Sequence, residues 1–305
     1  MRRVKTGAVA VLLACALAAL CTAAGCTESA PADVTDDQGR LVHLDAVPAR
    51  IVSHVPSITE TLFALDLGDR IVGVSDHCNY PAEVADKAKV GGYYTPSIEK
   101  IAALDPDLVL TDGYAEDIPQ LDSLGIPYIV IDPPDIDGLI RDIELLGEAT
   151  GSREKAAEIV SDFENRVEAV VAAVSDAPGT RVFYVFDATD LTKPWTAGPG
   201  SFVDALITLA GGENIAGEAQ GAWIQFSMEE IVNSDPEVIL IDSSHGTATV
   251  APADLEENPL WQGLSGVKNG RMGVVDGDLV NRPGPRLVEG LEQIAGIVHP
   301  ELFDH

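Results

Sequence analysis

The sequence predicts an α/β protein of two Rossmann-like lobes joined by one long helix, with a ligand cleft between the lobes. Three observations lead to this fold class. Short β-branched segments alternate with amphipathic helical segments, part of the pattern occurs twice, and residues 152–174 form one uninterrupted helical stretch between the two copies. Strands that alternate with helices are typical of a parallel sheet covered on both faces. At roughly 100–200 residues per domain, 305 residues suffice for two lobes.

The first 25 residues predict a secretory signal. Arg2, Arg3 and Lys5 precede an apolar run, and small residues follow it up to Cys26; this order is typical of a signal peptide. The ending Ala-Ala-Gly-Cys is similar to a bacterial lipoprotein cleavage box. We therefore expect residues 1–25 to be removed and Cys26 to be lipidated, which would anchor an extracytoplasmic protein to the cell membrane. Simple secretion is the alternative.

The segment between the signal and the first lobe is expected to act as a tether. Residues 27–37 are small, polar and acidic, a composition that favours a flexible linker. We assign residues 26–48 to the lipidated cysteine, the tether and the lead-in to the N-terminal lobe.

The composition is strongly acidic. The chain has 19 Lys and Arg against 49 Asp and Glu, a formal charge of −30 and a pI of about 4.2. Removing the signal removes three positive charges and no negative one, which takes the net charge from −30 to −33. This balance excludes a nucleic-acid partner bound through phosphate neutralisation. Cys78 is the one cysteine that follows Cys26, so we expect no intramolecular disulfide.

An internal repeat defines the two lobes. Residues 97–112 align without gaps to residues 227–242, with seven of sixteen positions identical, and residues 57–73 resemble residues 201–217. Each copy predicts a helix that begins at a Ser N-cap and is followed by a strand. We assign residues 49–150 to the N-terminal lobe (N-lobe) and 177–305 to the C-terminal lobe (C-lobe). The expected strands are 50–55, 71–75, 108–111 and 128–131, then 181–186, 238–242 and 272–275.

The connection between the lobes, residues 151–176, is predicted to be one long helix. It contains no Gly or Pro after residue 151 and keeps an apolar stripe that includes Val160, Phe163 and Val170. A single helical crossing leaves little hinge bending. The cleft between the two lobes is the expected ligand site.

The sequence gives little support to a catalytic function. It has no phosphate-binding Gly loop, no nucleophile elbow and no paired-Cys metal motif. We therefore expect a binding protein and not an enzyme. His77, in the segment 76–81 that follows a predicted strand, is a candidate ligand contact.

Aromatic residues stand at related points of the two copies. Tyr93 and Tyr94 precede the first repeat helix, and Trp223 precedes the second. Glycines flank both groups, which favours two aromatic walls around a planar macrocycle; packing at the junction of loop and helix is the alternative. Trp195, in a Pro- and Gly-rich loop, is another candidate wall.

Charged residues supply two further signals. Glu99 and Glu229 occupy equivalent positions in the two repeat helices, where they either cap the helices or form a two-point key for a basic partner. Arg282 and Arg286 lie in a Pro-rich loop before a final helix at 287–298, which suggests a polar ligand group or an internal acidic partner.

Six segments together resemble the substrate-binding proteins of cobalamin and iron-siderophore ABC importers. They are residues 50–60, 79–81, 101–110, 196–201, 211–214 and 282–286. The resemblance implies two α/β lobes, one connecting helix and little closure on binding. It also implies partners: a permease dimer with a cytoplasmic ATPase. The cobalamin-binding branch is the closer match, so the implied function is capture and delivery of cobalamin or a related corrinoid such as cobinamide. Ferric siderophore or haem is the alternative.

The family's functional positions map onto this chain with changes. The corrin-enclosing positions read Tyr93, His77 and Trp223, and a further family Trp is Asp112 here, with Tyr114 a candidate replacement. The paired docking glutamates map onto Glu99 and Glu229. An Asp and an Arg that contact the ligand map onto Asp278 and Arg282, and His77 is also a candidate cobalt ligand. The expected ligand-binding residues are therefore His77, Tyr93, Tyr94, Phe186, Trp195, Trp223, Asp278 and Arg282.

Overall fold

The protein is described here by a computed structural model that covers residues 32–243 and 248–303. The predicted signal peptide, the lipidation site Cys26 and the start of the tether lie outside the described residues. Within these two ranges, no helix combines the length and the apolar character that a membrane crossing requires.

The first described segment is a β-hairpin. β1 (Ala32–Thr35) pairs antiparallel with β2 (Leu41–Leu44). Alternate side chains point into the N-lobe, where Val34, Val42 and Leu44 are buried. This period of two is what a strand with one covered face requires.

The turn of the hairpin is fixed by a buried carboxylate. Asp36 is 4% exposed, accepts the guanidinium of Arg40 at 2.8 Å and accepts the backbone N–H of Val130 at 3.2 Å. The tether prediction is therefore wrong for residues 32–37, because alternate apolar side chains and this carboxylate bind the segment to the N-lobe.

The N-lobe is built on a five-stranded parallel sheet of order β5-β4-β3-β6-β7. Its strands are β3 (Ile51–Ser53), β4 (Ile71–Val74), β5 (Ala88–Lys89), β6 (Leu108–Thr111) and β7 (Tyr128–Val130). Its helices are α1 (Pro56–Ala64), α2 (Ile98–Ala103) and α3 (Ile136–Thr150). The central strands β3 and β6 are buried throughout, as expected where helices cover both faces.

Two serines at the starts of the repeat helices have different roles. Ser97 is an N-cap of α2 as predicted, since its side chain accepts the N–H of Lys100. The predicted cap at Ser57 is wrong: α1 begins at Pro56, after Val55, and Ser57 lies inside the helix. Pro at the first helical position needs no N–H partner and has a helical φ already set, so the helix begins one residue earlier.

A long helix joins the lobes. α4 (Arg153–Val174) has a buried stripe that includes Ala156, Val160, Phe163 and Val170. It packs against α3 on the N-lobe side and against two helices of the C-lobe, Phe202–Leu209 and Leu287–Val298. The predicted long connecting helix is confirmed.

The C-lobe is built on a four-stranded parallel sheet of order β10-β8-β12-β13. The strands of the C-lobe are β8 (Thr180–Val185), β9 (Trp195–Ala197), β10 (Gly212–Asn214), β11 (Trp223–Gln225), β12 (Val238–Asp242) and β13 (Met272–Val275). β9 and β11 form a separate antiparallel ribbon. The helices are α5 (Phe202–Leu209), α6 (Met228–Ser234), α7 (Pro252–Glu257), α8 (Ser265–Lys268), α9 (Gly277–Val280), α10 (Leu287–Val298) and α11 (Pro300–Phe303).

The two sheets repeat one topology. The repeat places β6 of the N-lobe at the position of β12 in the C-lobe, and the orders β4-β3-β6-β7 and β10-β8-β12-β13 then correspond strand by strand. The N-lobe adds β5 at its edge. The predicted fold of two α/β lobes joined by a long helix is confirmed.

Candidate ligand-binding cleft

The cleft lies where residues that follow the parallel strands of the N-lobe meet the C-lobe. Asp112 follows β6, Asp132 follows β7 after one residue, and Phe186 follows β8. In open α/β sheets, ligands bind outside the carboxyl ends of the strands. The strand order therefore brings residues that are distant in sequence to one surface.

Two adjoining cavities lie at this surface. One has a volume of about 580 Å³ and the other about 410 Å³. They share five lining residues, from both lobes: Val55, Ser57, Tyr93, Asn281 and Pro283. The two cavities are therefore parts of one cleft between the lobes.

The N-lobe wall is a cluster of rings around Tyr93. Tyr94 meets it edge-on at 4.8 Å between ring centroids, Tyr114 lies at 6.4 Å, and His77 lies edge-on at 6.4 Å. Tyr94 and Tyr114 are 69% and 59% exposed. This wall therefore exposes aromatic surface to the cleft, which is unusual for side chains of this size.

A carboxylate holds Tyr93 in place. The Tyr93 hydroxyl donates to the carboxylate of Asp112, whose other oxygen accepts the N–H of Tyr114 at 3.0 Å. Burial and the charge of Asp112 raise the pKa of Tyr93, so the hydroxyl stays protonated and remains a donor. Behind the ring, His54 stacks at 6.2 Å and places its Nε2 3.0 Å from the Gly92 carbonyl oxygen. Burial lowers the pKa of His54.

The C-lobe wall is built on Trp223. Its ring lies 4.8 Å from Phe186 and 6.5 Å from Tyr184. Trp223 is 41% exposed and Phe186 is 37% exposed, while Tyr184 is fully buried behind them. The β9–β11 ribbon presents Trp223 to the cleft.

Both aromatic loops begin at a glycine with a left-handed backbone. Gly91 has φ +117° and Gly221 has φ +110°, a region that side chains rarely adopt. At Gly91, a Cβ atom would also lie 2.8 Å from the carbonyl oxygen of Thr95. A glycine with positive φ therefore stands two residues before Tyr93 and two residues before Trp223.

A buried ionic cluster crosses from one lobe to the other beside the cleft. Glu60 of α1 is 4% exposed. Its carboxylate accepts hydrogen bonds from the guanidinium groups of Arg282, at 2.9 Å, and Arg286, at 2.8 Å. Arg282 also pairs with Asp278 at 2.8 Å and donates to Asn79 at 2.7 Å. The internal acidic partner that the sequence suggests for the two arginines is therefore Glu60.

The structure brings together seven of the eight residues expected to bind ligand. Those that line the cleft are His77, Tyr93, Tyr94, Phe186, Trp223, Asp278 and Arg282. Trp195 lies on the ribbon beside Trp223 but lines neither cavity. Among the residues that the structure describes, no group of three His, Cys, Asp or Glu side chains is placed to hold a metal ion. The role of His77 as a cobalt ligand remains a prediction.

Sequence patterns did not predict three residues of the cleft region. Asp132 lines the larger cavity, Asn281 lines both, and Glu60 joins the lobes. Asp132 could have been found, because it follows a predicted strand whose carboxyl end faces the cleft. The pairing of Glu60 with arginines more than 200 positions away carries no local signal.

The model of the periplasmic binding protein family matches residues 51–279, a range that includes the sheets of both lobes. The chain belongs to the periplasmic binding protein family. Proteins of this family are transport components.

Relatives of this periplasmic binding protein carry names from ABC transport. An uncharacterised ABC transporter substrate-binding lipoprotein of Bacillus subtilis is 33% identical over 287 residues, which cover 91% of this chain and 88% of that protein. A cobalamin-binding protein of Halobacterium salinarum is 30% identical over 286 residues, which cover 89% of this chain and 75% of that protein. The chain is a substrate-binding protein of an ABC importer.

Two solved structures share the fold. The periplasmic vitamin B12 binding protein BtuF of Vibrio cholerae has a TM-score of 0.71 and 26% identity, covering 83% of this chain and 98% of that one. The periplasmic haem-binding protein RhuT from Roseiflexus has a TM-score of 0.72 and 26% identity, covering 84% and 98%.

The two glutamates of the repeat helices are exposed on this periplasmic binding protein. Glu99 lies in the first turn of α2 and Glu229 in the first turn of α6. The capping interpretation fails for both. Ser227 forms its reciprocal cap with Glu230, and in the first helix the side chain of Ser97 accepts the backbone N–H of Lys100. Glu229 and Glu99 each stand one position before the residue that takes part in the cap.

Proposed function

We propose that this protein is an extracytoplasmic substrate-binding lipoprotein that captures cobalamin or a related corrinoid in the interlobe cleft and delivers it to the permease of an ABC importer. The observation that carries the proposal is the pair of facing aromatic walls. Tyr93, Tyr94 and Tyr114 lie on one side of the cleft, and Trp223 and Phe186 on the other.

The two aromatic walls suit a flat ligand. Aromatic pairs in favourable geometry contribute about 0.5–1.5 kcal/mol beyond the area they bury, so a macrocycle held between the two walls gains from each ring it contacts. The relatives named as cobalamin-binding or vitamin B12-binding proteins support a corrinoid as that macrocycle.

Haem is the second candidate ligand. His77 and Tyr94 line the same 410 Å³ cavity, and imidazole and phenolate are both known haem-iron ligands. The structural similarity to a haem-binding protein supports this alternative.

A ligand titration separates these candidates. The purified protein is titrated with cyanocobalamin, dicyanocobinamide, haemin and ferrichrome while tryptophan fluorescence is followed. We expect quenching by a corrinoid with a Kd below about 10 µM, or roughly −7 kcal/mol. Tight binding of haemin alone would replace the corrinoid proposal with the haem alternative, and binding of ferrichrome alone would point to a siderophore.

We also propose that Glu99 and Glu229 dock the protein onto the permease. One exposed carboxylate on each lobe, at equivalent positions, offers two negative points to basic sites on two permease subunits. Glu99→Lys combined with Glu229→Lys should abolish corrinoid uptake by cells while the Kd in solution is retained. Loss of the Kd as well would assign the two glutamates to structure, and uptake at the unmodified rate would remove them from docking.

Membrane attachment at Cys26 completes the proposal. The relative named as a lipoprotein supports it. Mass spectrometry of the protein from a membrane fraction should find a lipid-modified Cys26 as the first residue, and Cys26→Ser should release the protein from the membrane. A protein recovered unmodified from the soluble fraction would show simple secretion.

A further inference from the structure

The charged side chains of the cleft are unevenly distributed. Among the described residues that line the larger cavity, the only charged side chains are Asp112 and Asp132. The smaller cavity adds Asp278 and one cation, Arg282. Arg282 is already paired with Asp278 and with the buried Glu60, so its charge is balanced. The N-lobe end of the cleft is therefore the negative end.

The two carboxylates lie side by side because of the sheet. β6 and β7 are neighbouring parallel strands, so the residues that follow them emerge at the same edge. A Cβ atom on Gly113, the residue after Asp112, would lie 3.5 Å from the Asp132 carboxylate. Asp112 is buried and bonds to Tyr93 and Tyr114, whereas Asp132 is exposed to the cleft.

No basic side chain in the described part of the chain forms an ion pair with Asp132. Its backbone N–H donates to the carboxylate of Asp37 at 2.6 Å, which adds a further negative charge nearby. Burial, Asp112 and Asp37 raise the pKa of Asp132, and Asp132 in turn raises the pKa of Tyr114. The charged neighbours of Asp132 are therefore other acids, Asp112 and Asp37.

This environment discriminates between two kinds of ligand edge. A carboxamide donates two N–H groups, which an ionised carboxylate accepts in a charge-assisted hydrogen bond. A carboxylate on the ligand has no proton to donate at neutral pH and meets a like charge. Corrinoids carry carboxamides around the ring when they are fully amidated and carboxylates when they are not; haem carries two carboxylates.

We propose that Asp132, with Asp112 beside it, selects ligands whose rim carries uncharged carboxamides and rejects ligands whose rim carries carboxylates. Asp132 is then a specificity-determining residue of this protein. The inference rests on the proposed function, because it takes the cleft to be the site of a planar macrocycle.

The test compares two corrinoids that differ in amidation. Kd values for dicyanocobinamide and for dicyano-cobyrinic acid are measured by tryptophan quenching at pH 7.5 and low salt. The wild-type protein should bind the amidated compound at least about 10-fold more tightly, and this ratio should fall as salt screens the charges. Haemin should follow the acid.

Variants at Asp132 make the comparison specific. Asp132→Asn should lower the ratio of the Kd for dicyano-cobyrinic acid to the Kd for dicyanocobinamide about 3- to 10-fold. Asp132→Lys should lower this ratio further. Asp176→Asn removes the same charge at an exposed position after α4, outside both cavities, and should keep the wild-type ratio.

The outcomes separate the two proposals. If the wild-type protein binds neither corrinoid, the proposed function fails and the inference falls with it. If dicyanocobinamide binds and the ratio is the same in the wild type, Asp132→Asn and Asp132→Lys, the function stands and the inference is overturned. If Asp176→Asn lowers the ratio as much as Asp132→Asn does, overall charge sets the preference and the inference is also overturned.

Discussion

The two lobes use the same tyrosine–aspartate pair in different ways. The repeat ends at Asp112 in the N-lobe and at Asp242 in the C-lobe, and each carboxylate accepts a tyrosine hydroxyl, from Tyr93 and Tyr184 respectively. The N-lobe pair lines the cleft. The C-lobe pair is buried, with Tyr184 fully covered and Asn281 donating to Asp242 at 2.7 Å.

The position of each tyrosine explains the difference. Tyr184 stands on β8, a central strand covered on both faces, whereas Tyr93 stands on a loop that begins at Gly91. A duplicated scaffold therefore supplies one pair that stabilises a lobe and one pair that shapes a binding surface. Four pairs of variants test this division.

The largest effect is expected where the lobes meet, because the N-lobe contributes one buried carboxylate and the C-lobe two arginines. Glu60→Ala leaves Arg282 and Arg286 without their shared partner, and removing one member of a buried ion pair costs about 3–5 kcal/mol. Arg286→Ala should cost less, since Arg282 still pairs with Glu60. Urea unfolding of both variants measures the costs; a cost for Glu60→Ala below that for Arg286→Ala would contradict the account.

The second prediction compares the two tyrosines directly. Tyr184→Phe removes a buried donor from Asp242 and should destabilise the protein by about 1–3 kcal/mol. Tyr93→Phe should cost less than about 1 kcal/mol, because Asp112 lies at the edge of the cleft and water can replace the hydroxyl. Guanidinium unfolding of the two variants gives both values. Equal losses of stability would show that the pairs are equivalent.

The third prediction concerns the aromatic walls. Trp223→Ala should weaken corrinoid binding by about 1–3 kcal/mol, through lost contact area and stacking. Trp195→Ala, on the same ribbon but outside both cavities, should have little effect. Fluorescence is altered by both substitutions, so the Kd is best measured by calorimetry. An equal loss in both variants would place Trp195 in the site.

The fourth prediction is a difference in pH response between the lobes. Burial and the neighbouring Asp37 raise the pKa of Asp142, on α3, to about 8, whereas hydrogen bonds lower the pKa of Asp187 and Asp235 in the C-lobe. A carboxyl with a raised pKa stabilises the fold while it is protonated, and this contribution is lost as pH rises from about 4 to about 8.

Asp142→Asn should therefore gain stability relative to the wild type as the pH rises through this range. The difference in Tm between the two proteins, measured from pH 5 to pH 9, isolates Asp142 from the other titrating groups. In the C-lobe the sign reverses: Asp235→Asn should lose stability relative to the wild type at neutral pH, and the loss should shrink in acid. A constant difference for Asp142→Asn would contradict the assignment.

Much of the fold could be predicted from the sequence, since it depends on local patterns. Each of these patterns lies within one short segment: the runs of β-branched residues in β6 and β12, and the apolar stripe of α4. The hairpin at residues 32–44 was missed, because its strands are short and its acidic composition is also that of a linker. The Ser57 cap was misplaced, because Pro56 begins the helix.

The site could be predicted only where the repeat indicated it. Tyr93 and Trp223 were found because equivalent loops of two lobes face one cleft. Asp132 and Glu60 were not found, because their roles depend on which strands lie side by side and which loop of the other lobe meets α1. Such contacts are set by tertiary structure.

The most direct test of the central claim is a crystal structure of the protein grown with cyanocobalamin. The corrin ring should lie between Tyr93 and Tyr94 on one side and Trp223 and Phe186 on the other, with carboxamides of its rim at Asp132. A corrin bound elsewhere on the surface, or a ring that contacts one lobe only, would contradict it.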